Sequence, residues 1–329
     1  MTLFETQDAS PPSQDVELLA VEAELLGIKD GRDRFGRVLR DTIDQLLDGE
    51  RTGRFDPEKL FKTEKTHAGT LVEINLQREF EFANGHDMDY RIAGVDVDCK
   101  FSKDLGGWMI PPEALDEICL LVWADDRKSL WSAGLFRAET SKLTQSGTRT
   151  RKGNRDKKLR LNKENLHLVR WLWHNVELTE NILLHLPTNI RDRILASSSG
   201  QARINELFRL VQGRRIGRGT VRTVARQLDY VARIREDGGT SRARPRLRQE
   251  GIIILGEGLE HAVIAKELGG PVPQKGEFVS FRIARAQPHH AAKPSTYLWG
   301  DHWVVADPGD PVEELLLPLP KREGGRKRT

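Results

Sequence analysis

The sequence predicts a mixed α/β (α+β) protein, and three observations carry that prediction. A helical opening gives way from Tyr90 to residues with a period of two. Two apolar runs joined by a polar turn then extend the strands into a mixed sheet. Past residue 200, an amphipathic helix, a short turn, a second helix and a strand follow in the order of a helix-turn-helix with a wing.

The elements follow in order. Residues 15–26 and 38–47 have helical periodicity; Val38, Leu39, Thr42, Ile43, Leu46 and Leu47 form one stripe that stops at Gly49. Over 90–101, Val95, Val97, Cys99 and Phe101 share one strand face, with Asp96, Asp98 and Lys100 on the other. Residues 118–124 and 130–138 form an antiparallel hairpin around Asp125-Asp126-Arg127-Lys128. The run RTRKGNRDKKLRLNK (149–163) is too polar to pack and is expected to loop out toward a polyanion. A helical stretch around 166–173 leads into a junction at 168–174. The second half has a helix at 202–212, the turn Gly213-Arg214-Arg215-Ile216-Gly217, and a helix over 220–234. On that last helix Val221, Val224, Leu228 and Val231 face inward, while Arg222, Arg226, Tyr230 and Arg233 share another face. Strands at 252–255, 278–284 and 302–306 complete it. The expected division is 1–167, a linker at 168–174, 175–318, and a basic tail at 319–329, ending KREGGRKRT, that is disordered.

Composition narrows the function. A chain of 329 residues favours two domains. No apolar run reaches membrane-spanning length and MTLFETQDASPPSQD has no secretory character, so a cytoplasmic protein with no membrane partner is expected. Cys99 and Cys119 sit in apolar runs as small hydrophobes rather than disulfide partners. The net charge is only +3, yet residues 203–250 hold 13 Arg, no Lys and five acids, a local +8 that leaves −5 for the rest. Such a patch is the footprint of a polyanion, and forked guanidinium donors match phosphates and guanine edges. Arg214, Arg215, Arg218, Arg222, Arg226 and Arg233 are therefore candidate contacts to double-stranded DNA.

The candidate chemistry lies earlier. Asp98 and Lys100 are two apart on a strand and leave it on one side. Asp89 precedes them by the length of a turn, giving the Asp, spacer, Asp-x-Lys order of metal-dependent nucleases. Carboxylates are hard ligands suited to Mg²⁺, and a lysine beside them can orient the attacking water or stabilise developing charge. The same pattern also fits a solvated strand face. Glu73 joins the set if its segment runs beside the strand; otherwise it is a helix-surface carboxylate.

Longer strings decide between these readings. RVLRDTIDQLLDG, KTEKTHAGTLVEINLQREF, DYRIAGVDVDCKFS, GQARINELFRLVQGR, EGIIILG and PVPQKGE occur in the order in which similar segments occur in NaeI-type (type IIE) restriction endonucleases, over roughly 15–310. The resemblance implies a restriction-endonuclease-like core followed by a winged-helix, CAP-like domain. It implies that Glu73, Asp89, Asp98 and Lys100 are catalytic, with Asp89, Asp98 and Glu73 holding Mg²⁺. It further implies a homodimer that cleaves one copy of a palindrome such as GCCGGC while a second copy, bound by the C-terminal domains, activates it. A cognate DNA methyltransferase would protect the host genome.

Three other features remain. Leu46-Leu47-Asp48-Gly49 resembles the Lys-x-Asp-Gly motif of DNA ligases, but Leu46 stands where the adenylated lysine would be, so ligase chemistry is excluded there. Locally the string reads as a helix ending at Gly49. NaeI-type enzymes share this substituted motif, and a lysine at the leucine's place is expected to shift such an enzyme toward breaking and rejoining DNA. His289-His290 has no cysteine or carboxylate at zinc-like spacing. Residues 106–112 (GGWMIPP) either line a DNA cleft or form a buried turn. The alternative function is a non-catalytic winged-helix regulator, which would not need Asp89, Asp98 and Lys100 to meet.

Overall fold

The computed structural model describes residues 15–145, 159–227, 229–236 and 239–319. Most of the basic loop at 149–163, Leu228 and nearly all of the C-terminal tail lie outside the described residues. The chain divides into two compact units. One takes the described residues of Met1–Thr42, Thr66–Asp125 and Leu130–Leu178; the other those of Ile43–Lys65, Asp126–Ser129 and Thr179–Thr329. The division therefore falls after Leu178 rather than at 168–174, and two segments expected in the first domain belong to the second unit.

Among the described residues four α-helices precede the first strand. Helix α1 (Val16–Gly27) starts on Asp15, whose carboxylate accepts the Leu18 N–H at 3.0 Å. Helix α2 (Gly31–Leu47) begins ahead of the expected stripe, and Asp48, at φ 46°, breaks it before the short α3 (Gly49–Thr52). Gly49 thus opens a helix instead of ending one. Helix α4 (Lys62–Phe80) carries Glu73.

The main sheet of the first unit contains β1 (Ala83–Asn84), β2 (Tyr90–Ile92), β3 (Val95–Ser102), β5 (Ile118–Asp125), β6 (Leu130–Arg137) and β9 (Arg170–Glu177), in that spatial order. A small second sheet joins β4 (Trp108–Ile110), β8 (Leu159–Leu161) and β7 (Thr144–Gln145). Among the described residues only β3 and β5 pair in parallel, so the main sheet is mixed. β5 is apolar without alternation and buried along nearly its whole length, as a central strand covered on both faces must be. Its hairpin with β6 runs from Ile118 opposite Arg137 to Asp125 opposite Leu130.

The structure corrects the sequence reading at two places in this unit and decides between two open readings at a third. The expected strand at 90–101 is a hairpin, because Ala93 and Gly94 both take positive φ, 52° and 79°. The expected helix and linker over 166–174 are instead the 3-10 turn Lys163–Leu168 and β9, which pairs with β6. Trp173 lies 5.7 Å from Trp131 and 4.8 Å from Phe35, so aromatic packing and the open edge of β6 override a weak local helical period. Trp108 and Ile110 are core residues, and the Trp108 indole donates to Val122 O at 2.9 Å, so GGWMIPP follows its buried reading.

The second unit adds α5 (Ile182–His185), α6 (Thr188–Leu195), α7 (Gly200–Leu210), β10 (Ile216–Gly217), α8 (Arg218–Ala225), α9 (Ala243–Arg248), β11 (Ile252–Leu255), α10 (Leu259–Glu267), β12 (Glu277–Arg285), β13 (Ser295–Leu298) and β14 (Asp301–Val305). Its strands run β10-β12-β14-β13, with β11 also paired to β12. The helix expected over 220–234 stops at Ala225, where Arg226 turns to φ 50°. Buried Arg203 explains the stop: it donates to Val224 O at 2.6 Å, Ala225 O at 3.1 Å and the carbonyls of Ser197 and Ser198. With those end carbonyls capped, the chain leaves the helix axis, and Arg233 sits in a separate 3-10 turn. Among the described residues no helix is long and apolar enough to cross a membrane.

Candidate active site

In the first unit, β3 presents Asp98 and Lys100 two residues apart. The Lys100 ammonium donates to Asp98 Oδ1 at 2.7 Å and to Cys99 O at 3.2 Å, and lies 3.9 Å from Asp89 Oδ2. Asp98 is only 5% exposed and the Lys100 side chain 25%, so this is a largely buried ion pair rather than a solvated strand face. Asp89 immediately precedes β2, and the register that sets Tyr90 opposite Val97 brings it alongside β3. There its Oδ2 accepts the Cys99 N–H at 2.7 Å. Glu73 comes from α4, tied to the sheet by the Tyr90 hydroxyl, which donates to Glu73 O at 2.7 Å. All four sequence candidates therefore belong to one neighbourhood.

Their electrostatics are coupled. Burial raises the Glu73 carboxyl above the usual range, and the Asp89 charge adds to it while Lys100 opposes. Burial also raises Asp98 against the pull of Lys100. For Lys100, burial alone would lower the ammonium, but Asp98 and then Asp89 outweigh it and keep it charged. The thiols are inert: burial pushes Cys99 up to about 12 and raises Cys119 as well, in keeping with small apolar roles. Three carboxylates against one ammonium, with Glu73 pushed up by Asp89 and Asp98, form a hard, electron-rich donor set that suits a divalent cation.

A tighter donor cluster lies in the second unit. Among the described residues, His289, His290, Asp307 and Asp310 bring ligand atoms within 4.8 Å of one another and could hold a metal ion. The chain fold supplies the carboxylates that spacing alone did not. Hydrogen bonds already satisfy these groups: His290 Nδ1 accepts the Gln287 N–H at 3.2 Å, so a neutral ring has its proton on Nε2, facing Asp310 at 3.1 Å. Lys293 also lies 2.5 Å from Asp307. Glu73, Asp89 and Asp98 do not converge as closely as this cluster.

The sequence pattern of the family described as Restriction endonuclease NaeI matches residues 22–314. A type II restriction enzyme NaeI from Lentzea aerocolonigenes is 48% identical over 321 residues, covering 95% of this chain and 97% of the relative. The chain belongs to the NaeI restriction endonuclease family. As a NaeI-family member it is a site-specific endonuclease, a hydrolase that acts on double-stranded DNA, and not the non-catalytic regulator of the alternative reading.

In this NaeI-family chain the candidate arginines are less alike than their shared charge suggested. Arg214 pairs with Glu180 at 2.6 Å, Arg215 lies 3.9 Å from Glu277, and Arg222 lies 3.5 Å from Glu50 and over the Tyr230 ring. Arg233 donates to Gln227 at 2.7 Å. The compensating acids come from distant parts of the sequence, which a local count cannot register. Arg218 and Arg222 lie on α8 and Arg226 caps it, so only these three belong to one short element. Of the ligase-like string, Gly49 abuts α8: a Cβ there would lie 2.0 Å from Thr223 Oγ1. Sequence reading missed Tyr90 and Asp96, whose work depends on which backbone atoms they meet.

Proposed function

We propose that the chain is a Mg²⁺-dependent type IIE endonuclease whose catalytic residues are Glu73, Asp89, Asp98 and Lys100. The observation that carries this reading is the buried pairing of Lys100 with Asp98 beside Asp89. Asp89, Asp98 and Glu73 hold the cation. When bound, it neutralises the scissile phosphate and acidifies a water. Asp98 and Asp89 keep Lys100 protonated, so its Nζ serves as a hydrogen-bond donor and positive charge at the reacting phosphate, not as a base. Glu73, whose carboxyl is raised by burial and then by the Asp89 charge, takes the proton from the attacking water.

The second unit serves as a winged-helix domain that binds a second copy of the site through Arg218, Arg222 and Arg226, with Arg214, Arg215 and Arg233 flanking. The enzyme acts as a cytoplasmic homodimer on a GC-rich palindrome such as GCCGGC, beside a methyltransferase that protects the host. This part rests on family membership and on the arginine-rich composition around α8.

The test is digestion of a plasmid rich in GCCGGC sites with Mg²⁺, with and without an oligonucleotide carrying the site. Cleavage stimulated by the oligonucleotide is expected, and Asp98→Ala should abolish cleavage while preserving DNA binding. An intact plasmid under all conditions, or equal loss of cleavage and binding in the variant, overturns the reading.

A further inference from the structure

On the polar face of β3, Asp96 is the residue that the proposed chemistry leaves unused. Its carboxylate accepts the His86 N–H through both oxygens, at 2.9 and 3.1 Å, and the Asp87 N–H at 2.8 Å. These bonds, led by Asp87 and His86 with Met88 adding, hold its carboxyl below the usual range. The amides belong to the turn from Gly85 to Asp89, closed by Gly85 N–H to Asp89 O at 3.5 Å. That turn is wound so closely that a Cβ on Gly85 would lie 2.2 Å from Met88 O. Its last residue is Asp89, whose Oδ2 meets the Cys99 amide at 2.7 Å. β3 thus grips the turn twice, through the Asp96 side chain at its start and the Cys99 amide at its end. Removing the first grip leaves successive backbone donors without their ionised acceptor, a stronger loss than that of neutral hydrogen bonds.

We propose that Asp96 is a positioning residue that sets Asp89 for binding the divalent cation; the proposal rests on the reading of Asp89 as a cation ligand. Partners that orient metal ligands are worth about 10- to 100-fold in affinity or activity. In this role Asp96 acts through the backbone of 86–88 rather than through contact with substrate or cation.

The test uses the full-length chain with Asp96→Ala and Asp96→Asn, read by Mn²⁺ binding calorimetry without DNA, by amide exchange at His86 and Asp87, and by the Mg²⁺ dependence of cleavage. Asp96→Ala is expected to weaken Mn²⁺ binding and raise the half-maximal Mg²⁺ concentration about 10-fold or more, with saturating Mg²⁺ recovering most of the rate. The two amides should exchange faster. Asp96→Asn, which keeps one acceptor oxygen, should fall between, and it decides the matter if the alanine variant does not fold. Unchanged Mn²⁺ affinity and Mg²⁺ midpoint overturn the proposal, whatever happens to thermal stability. Asp89→Ala separates the two ideas. If it still cleaves, the site reading fails; if it is inactive while the Asp96 variants match the parent, only the role of Asp96 fails.

Discussion

Lys100 closes onto Asp98 across a single strand residue, Nζ to Oδ1 at 2.7 Å, with the carboxylate almost fully buried. Each group depends on the other: without the ammonium, burial and Asp89 both act to protonate Asp98. Lys100→Met should therefore lower single-turnover cleavage by roughly 10²-fold or more, the scale of losing one charge-stabilising donor, and leave DNA affinity within a few fold. Lys100→Arg should not rescue it, because a planar fork does not replace a compact ammonium at this distance. Near-parental cleavage by either variant would remove Lys100 from the mechanism.

Arg222 and Arg226 lie at the end of α8, where Arg203 caps the helix. Replacing both with alanine should reduce stimulation by a second DNA site more than it reduces unstimulated cleavage. The measurement is cleavage rate against added site-bearing oligonucleotide, at several salt concentrations because phosphate contacts are salt-dependent. Equal stimulation in variant and parent would exclude these two arginines from effector binding.

Gly49→Ala places a Cβ 2.0 Å from Thr223 Oγ1 and 2.9 Å from Arg54 O. The overpacking should destabilise the second unit by about 1–3 kcal/mol in urea unfolding. Thr223→Ala in the same chain should recover part of that loss, since the Oγ1 clash goes while the contacts with Arg54 O and with the Cβ of residue 223, both at 2.9 Å, stay. Additive effects in the double variant would show that the contact does not exist.

His261 gives the second unit a pH dependence. Its Nδ1 accepts the Gly256 N–H at 3.0 Å, and burial, then the Arg244 charge, lower it to about 4. The native ring stays neutral while the unfolded one titrates near 6.5, so below 6.5 the unfolded state binds more protons. Stability should fall as the pH drops from about 6.5 to about 4 and level off below, by at most ~3 kcal/mol. His261→Gln should flatten that part of the profile. An unchanged urea midpoint of the parent's second unit across this window would contradict the assignment.

Much of the main sheet was legible because its signals are local. β5 reads as a buried central strand from its unbroken apolar run, and the Asp125–Lys128 turn announces the hairpin with β6. Asp98 and Lys100 share a strand side by the two-residue repeat of any strand. The missed elements depended on partners far along the chain. Trp171 and Trp173 join a strand because the edge of β6 was available, and α8 ends at Ala225 because Arg203 caps its carbonyls.

The candidate chemistry follows the same division. Residue order alone makes Asp89, Asp98 and Lys100 candidates without excluding a solvated strand face, and it leaves Glu73 open; the resemblance to NaeI-type enzymes is what implies that all four are catalytic. Burial of Asp98, the Cys99 amide on Asp89, the Tyr90 hydroxyl on Glu73 O and the acids facing Arg214, Arg215 and Arg222 come only with the folded chain. Periodicity fixes which side of an element a residue occupies, whereas charge state and orientation depend on distances of a few ångströms to groups tens or hundreds of residues away. For that reason the local sequence near α8 suggested a uniform positive face, and the folded chain divides those arginines between internal ion pairs and the end of one short helix.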